Sequence, residues 1–163
     1  MSTRVRNAIL ASALPASTSA LVSCGKPSAG SSAKVDDPHL SAVGTVEVTA
    51  RLVEIPEGAI FKRDLYNYTT ILKYEVIRIH RGQTHANTIF VGHYNPWKPR
   101  AEASDNRVKD IGGDLKQFRA GQVHRMALEA PIDDYFMGGI VNKYFGQDTG
   151  PLYWAVWTNL ADK

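Results

Sequence analysis

From about residue 43 onward, apolar and polar residues alternate in short runs, and this two-residue period constrains the fold more than any other feature of the chain. In the first run, Val46 and Val48 face one side of an extended backbone and Glu47 faces the other, as in a half-buried antiparallel strand. Such runs predict five strands, at Val43–Ile55, Tyr68–His80, Ile89–Tyr94, Val123–Ala130 and Leu152–Asn159. The pattern predicts a mainly β domain.

The connections between these strands indicate a small barrel. In the second run the apolar face changes to Ile77 and Ile79, as a strand-bending β-bulge would produce. The polar connection 95–121 contains Asp114–Phe118, for which we expect one helical turn capped by its first residue. Five strands with a short helix between strands 3 and 4 predict a five-stranded antiparallel OB-like Greek-key barrel. The alternative is an immunoglobulin-like sandwich, which needs about seven strands.

Three segments support the barrel by resemblance. Tyr74–Gly82 is a strand that ends in a basic glycine turn, Ile89–Val91 is a second strand, and Phe118–Leu128 passes through a glycine turn into a third. This order resembles the barrel of netrins and tissue inhibitors of metalloproteinases. The resemblance implies the fold only, because the cysteines that staple those domains are absent here.

The first residues have the layout of an export signal. Arg4 and Arg6 form a positive start without any acid, and Ala8–Val22 is an uncharged run rich in Ala and Leu. The run ends in Leu21-Val22-Ser23-Cys24, a tetrapeptide that resembles the lipobox of bacterial lipoproteins, in which the cysteine is lipidated. A merely disordered or helical N-terminal extension is the alternative.

The lipobox resemblance implies a division of the chain and an address. Residues 1–23 would be the signal peptide, and Cys24, the chain's one cysteine, would carry a lipid anchor to the membrane. The stretch that follows is rich in Gly, Ser and Ala, which predicts a flexible tether over 24–41 and a barrel domain over 42–163. The expected location is the periplasmic face of the cell envelope, at the outer membrane if the host is Gram-negative.

Charge and cysteine content exclude several classes of protein. The chain has 19 Lys and Arg against 16 Asp and Glu, and without the two arginines of the export signal the balance is only +1. Nucleic-acid binding needs a basic surface that neutralises several phosphates, so we expect no nucleic-acid partner. One cysteine excludes an internal disulfide framework and a four-cysteine zinc site. No run approaches the roughly 18 to 20 apolar residues of a membrane-spanning helix.

Four histidines lie in the expected domain, at positions 80, 85, 93 and 124. If residues 81–87 form a hairpin turn, His80 pairs near Thr88 and His93 pairs near Glu75. The two imidazoles are then about five residues, or roughly 16 Å, apart, which excludes a shared metal ion. We therefore predict no metal site. No cofactor is predicted either, because the sequence contains no phosphate-cradling loop or dinucleotide motif.

The segment Gly92–Arg100 is the main candidate for ligand binding. Two prolines restrict its backbone, and its aromatic rings and cations would stand at the mouth of the barrel. The predicted ligand-binding residues are Tyr94, Trp97, Lys98 and Arg100. The alternative, weighed equally, is that Trp97 simply closes the barrel end.

Two functional hypotheses follow. The first is a noncatalytic binding or scaffolding lipoprotein whose connections 95–121 and 131–151 recognise a polysaccharide or an envelope protein, with no catalytic residue assigned. The second is an envelope hydrolase or transferase that uses His93 or His124 as a base with Asp133 or Asp134. A histidine that meets a carboxylate in an open cleft would favour the second.

Overall fold

A computed structural model describes residues 37–61, 66–147 and 151–161. The predicted signal peptide, Cys24 and the tether as far as residue 36 lie outside the described residues. The described chain contains one short helix, α1 (Pro38–Ala42), and six strands: β1 (Val46–Glu54), β2 (Thr69–Arg81), β3 (Thr88–Tyr94), β4 (Val123–Glu129), β5 (Ile140–Val141) and β6 (Leu152–Leu160). None of the helices in these ranges has the length and apolar character needed to cross a bilayer.

Five of the strands close into a barrel. They are hydrogen-bonded in the order β1-β4-β6-β3-β2, and β2 pairs back onto β1. These are the five predicted strands, with ends that differ by three residues or fewer. The prediction of a mainly β barrel is confirmed, but the prediction that all strands are antiparallel is wrong. β3 and β6 run parallel, with Phe90 opposite Leu152. The other four pairings of the barrel are antiparallel, and a closed ring of five strands with four antiparallel pairings must have one parallel pairing.

β2 is long enough to serve two partners. Its residues Thr69 to Glu75 pair with β3, and its residues Lys73 to Arg81 pair with β1. The β1 ladder jumps from Val76 to Arg78, which places a bulge at Ile77 as the sequence predicts. The strand therefore bends from one neighbour to the next and closes the barrel.

This sharing of β2 corrects the predicted register of the histidines. His93 lies opposite Thr70 rather than Glu75, and Glu75 lies opposite Thr88. His80 belongs to the part of β2 that pairs with β1, and its Nε2 lies 2.7 Å from the Thr49 hydroxyl. The hairpin assumption failed because β2 leaves β3 five residues before His80.

The connection 95–121 differs from its predicted form. Asp114–Phe118 is not helical, and the one helical turn of this connection is a 3-10 turn at Arg100–Glu102. Asp114 does not cap a helix; its Oδ1 accepts a hydrogen bond of 2.8 Å from the backbone N–H of Leu160. The segment follows β6 instead, since Gly112 and Trp157 form a parallel bridge. Backbone pairing with β6 satisfies the groups that a helix would have satisfied internally.

Two apolar cores result from the alternation of the strands. The barrel interior contains residues such as Leu72, Tyr74, Val91 and Met126. The neighbours that point the other way, Ile71, Phe90 and Trp154, are buried in a second core together with Ala103, Ile111, Ile132, Phe136 and Tyr144 of the two long connections. The connections therefore form a packed layer against the outside of β2, β3 and β6.

Helix α1 occupies the last residues of the predicted tether and lies against the barrel. Asp37 caps it by accepting a hydrogen bond of 3.0 Å from the His39 backbone N–H. The other oxygen of Asp37 accepts bonds of 2.8 Å from Trp157 Nε1 and from Asn159 Nδ2. Burial raises the pKa of Asp37, but these bonds outweigh it and lower the pKa to about 2. Ordered structure thus begins no later than Asp37.

Candidate functional site

The predicted Gly92–Arg100 segment divides into buried and half-buried residues. Tyr94 is fully buried, and its hydroxyl donates a 2.8 Å hydrogen bond to Asp105. Arg100 is only 2% exposed, and its Nη2 donates to the carbonyls of Tyr94, Asn95 and Lys98. Both side chains thus hold the turn together inside the protein.

Trp97 and Lys98 are half-buried. The ring of Trp97 lies 4.6 Å from that of Tyr68, between centroids, at an angle of 31°. Tyr68 in turn lies 6.0 Å from Phe61. Of the four predicted residues, Trp97 is therefore the one whose ring packs beside an accessible aromatic surface.

That surface is an open groove of about 400 Å³. It is lined by Phe61, Tyr66, Tyr68, Gly139, Ile140 and Val141, a set that we call the aromatic groove. Tyr66 is 71% exposed and Phe61 is 41% exposed, which is unusual for rings of this size. One wall comes from the β1–β2 connection and the other from the β4–β6 connection.

Hydrogen bonds fix the first wall of the aromatic groove and join it to the second. The Tyr68 hydroxyl accepts from the Phe61 N–H at 2.6 Å and donates to the Phe61 carbonyl at 2.9 Å. The Thr69 N–H donates to the Gly139 carbonyl at 2.9 Å, and β5 then pairs with the start of β2. β5 is the last strand in the order of the sheet, so one of its edges has no strand partner among the described residues.

A second cluster of chemically active groups lies inside the barrel. The Tyr74 hydroxyl is 3.0 Å from Nε2 of His93 and 3.1 Å from Nδ1 of His124, and all three side chains are fully buried. His124 Nε2 is 3.3 Å from Oε1 of Gln122, which also accepts from the backbone N–H of Arg119. These bonds do not join the two histidines to each other; each histidine is bonded to Tyr74.

The direction of these bonds can be assigned. An amide oxygen only accepts, so His124 Nε2 carries the proton and its Nδ1 accepts from Tyr74. Tyr74 then accepts from Nε2–H of His93. Each imidazole needs one proton for these bonds. His124 is neutral because its Nδ1 accepts, whereas Nδ1 of His93 takes no part in them and has no hydrogen-bond partner among the described residues.

Burial favours the neutral form of both histidines. Burial, with smaller contributions from the Arg100 and His124 charges, lowers the pKa of His93 well below its usual value. Burial lowers the pKa of His124 to about 4, partly opposed by Asp114. Burial also raises the pKa of Tyr74 well above its usual value, although the Arg100 charge opposes it. The cluster is therefore an uncharged part of the core.

The groups that the hydrolase hypothesis requires are not brought together. His93 and His124 are enclosed in the barrel, whereas Asp133 and Asp134 are exposed on a 3-10 turn after β4. Within the described ranges, no group of three or more His, Cys, Asp or Glu side chains is arranged to hold a metal ion. The aromatic groove, in contrast, is open and its rings are accessible.

The lining of the aromatic groove was not predicted from the sequence. Phe61, Tyr66 and Tyr68 lie within eight residues of one another, and this local concentration of rings was the available signal. It does not show that Ile140 and Val141 form the opposite wall.

Comparison with known proteins finds no match for this chain among protein-family models, curated proteins or solved structures.

Proposed function

We propose that this chain is a lipid-anchored protein of a bacterial cell envelope whose noncatalytic barrel binds a segment of another envelope protein in the aromatic groove. The observation that carries the proposal is the convergence of two connections, about 75 residues apart in the sequence, on one open groove with exposed rings. Exposed apolar patches of this kind mark interaction sites in folded proteins.

The strand order supports an OB-like assignment of the barrel. Around the barrel, the strands follow the order β1-β2-β3-β6-β4. The longest connections follow β3 and β4. OB barrels bind ligands with the face of their second and third strands and with the connections that follow their first and fourth strands. The aromatic groove is built from the two corresponding connections, which favours a binding function.

The lining of the groove favours a protein over a polysaccharide. Its six described residues carry no charge, and the Tyr68 hydroxyl is occupied by Phe61. Among these described residues a glycan would find few polar partners, whereas an extended peptide could place apolar side chains among the rings. It could also bond to the backbone edge of β5, as strands do when they extend a sheet.

The anchor can be tested by fractionation. Replacement of the proposed lipidated residue, Cys24→Ala, is expected to abolish metabolic labelling with palmitate and to move the protein from the membrane to the periplasmic fraction. The control is Ser23→Ala, which leaves the cysteine in place. Unchanged labelling and fractionation of Cys24→Ala would contradict the anchor.

The groove can be tested by photo-crosslinking in the native envelope. A p-benzoylphenylalanine at position 66 is expected to give one discrete protein adduct, identified by mass spectrometry. The matched control is the same amino acid at position 145. Phe145 is 88% exposed in the β4–β6 connection, which supplies the other wall of the groove, but it does not itself line the groove. Adducts with glycan, or equal adducts at both positions, would contradict the proposal.

A further inference from the structure

A second open cavity, of about 330 Å³, lies on the outside of the barrel and is distinct from the aromatic groove. Its lining includes Trp154 and Val156 of β6 and residues 107–111. Glu129, at the end of β4, and Tyr135 also line it. Unlike the aromatic groove, this cavity combines aromatic and charged side chains.

The charges of the described residues that line this cavity balance. Glu129 and Asp110 contribute two carboxylates, and Arg107 and Lys109 contribute two cations. A ligand with one net charge would be attracted by one pair and repelled by the other. The arrangement therefore favours a ligand that is neutral but rich in hydrogen-bond donors and acceptors.

The Glu129 carboxylate is held in place for such a role. Its Oε2 accepts a 2.6 Å hydrogen bond from the Thr45 hydroxyl and a 3.1 Å bond from the Tyr135 hydroxyl. The second bond also restrains the Tyr135 ring, which is 48% exposed. The cavity thus presents a positioned acceptor beside an accessible aromatic ring.

We infer that this cavity binds a neutral saccharide unit, with Tyr135 as the stacking ring and Glu129 as the hydrogen-bond acceptor. Sugar rings carry an apolar face that packs on aromatic rings, and their hydroxyls donate to carboxylates and accept from Arg and Lys. The balanced charges, the aromatic ring and the size of the cavity all fit this class. The site lies apart from the aromatic groove, so it goes beyond the proposed function and does not depend on it.

Calorimetric titration of the full-length protein in detergent micelles tests the inference. The probes are two neutral tetrasaccharides, maltotetraose and chitotetraose, with tetragalacturonate as the anionic probe, the chitosan tetramer as the cationic probe and glycine betaine as the zwitterion. We expect saturable binding of at least one neutral probe, and binding weaker by about tenfold or more for every charged or zwitterionic probe.

Two variants locate the binding. Tyr135→Ala is expected to weaken the affinity for the neutral probe by about tenfold or more. Tyr135 is exposed enough for the variant to fold. Tyr66→Ala, in the aromatic groove, is expected to leave the affinity unchanged, which separates this site from the proposed function. The inference is overturned if neither neutral probe binds at millimolar concentration, if a charged or zwitterionic probe binds best, or if Tyr135→Ala binds as the native protein does.

Discussion

At the scale of single residues, the unusual feature is a pair of histidines inside a barrel of this size. One tyrosine hydroxyl joins His93 and His124, because Tyr74 can donate to one imidazole while it accepts from the other. Nδ1 of His93 is buried without a hydrogen-bond partner among the described residues. The Phe118 ring packs on both imidazoles, at 4.5 Å from His93 and 5.6 Å from His124. This apolar surrounding makes a charged imidazole costly and ties the stability of the core to pH.

We expect the free energy of unfolding to fall between about pH 6.5 and pH 4. In the unfolded chain His124 takes up a proton near its usual pKa of 6.5, whereas in the folded protein its pKa is about 4. The unfolded state therefore binds more protons in this window, and the stability present above pH 6.5 is lost on acidification, by about 3 kcal/mol for this residue. Urea unfolding monitored by circular dichroism at several pH values measures the loss.

Two variants separate His124 from the other titrating groups. His124→Gln is expected to have a flatter profile in this window, since its amide does not titrate. His85→Gln, at an exposed position, is expected to follow the native profile. A His124→Gln profile parallel to that of the native protein would refute the assignment.

At the scale of elements, the segment beside β6 shows why the predicted helical turn is absent. Gly112 exchanges backbone bonds with Val156 and Thr158, and Gly113 follows with a φ of 131°. A β-carbon on Gly113 would lie 1.9 Å from the Thr158 carbonyl oxygen, so the close approach of the two backbones requires glycine here. The pairing with β6 competes successfully with the one helical turn that Asp114–Phe118 could form.

A matched pair of glycine substitutions tests this close approach. Gly113 and Gly121 both have positive φ angles, 131° and 87°, but a β-carbon on Gly121 would meet no atom within 4 Å. We expect Gly121→Ala to cost about 1 kcal/mol of unfolding free energy, from backbone strain alone. Gly113→Ala is expected to cost about 3 kcal/mol or more, because steric overlap adds to the strain. Equal losses in thermal or urea unfolding would show that the segment moves away from β6 without penalty.

At the scale of the whole molecule, the protein is a barrel with a second core on its outside. The connections 95–121 and 131–151 were expected to recognise the ligand, yet Ala103, Ile111, Ile132 and Phe136 are buried against the barrel wall. Phe136 stacks on Trp154 at 5.1 Å with nearly parallel rings. Accessible sites therefore occur at the seams between this layer and the barrel rather than on mobile loops.

Two phenylalanines of the same connection test the second core. Phe136 is 5% exposed and Phe145 is 88% exposed. We expect Phe136→Ala to lower the free energy of unfolding by about 3 to 5 kcal/mol, as in other large cavities. Phe145→Ala is expected to change it by about 0.5 kcal/mol or less. Similar small effects of both variants on chemical unfolding would mean that the connection does not contribute a core.

The candidate sites show which of their properties can be predicted from residue patterns in the sequence. The aromatic and cationic character of the Gly92–Arg100 segment was visible in the sequence, and Trp97 does lie beside the aromatic groove. The buried position of Arg100 was not visible, because it follows from three backbone carbonyls that converge on one guanidinium. Likewise, the cavity beside Glu129 joins residues of four separate segments, at 44, 107–111, 129–135 and 154–156.

The sequence by itself determined the mainly β character, the positions of the five long strands and the bulge in β2. These properties depend on the local alternation of side chains, which acts within each run. Only the tertiary structure decided the parallel pairing of β3 with β6, the burial of the two histidines around Tyr74 and the packing of the long connections as a second core. Each of these depends on contacts between residues far apart in the chain, for which local periodicity carries no information.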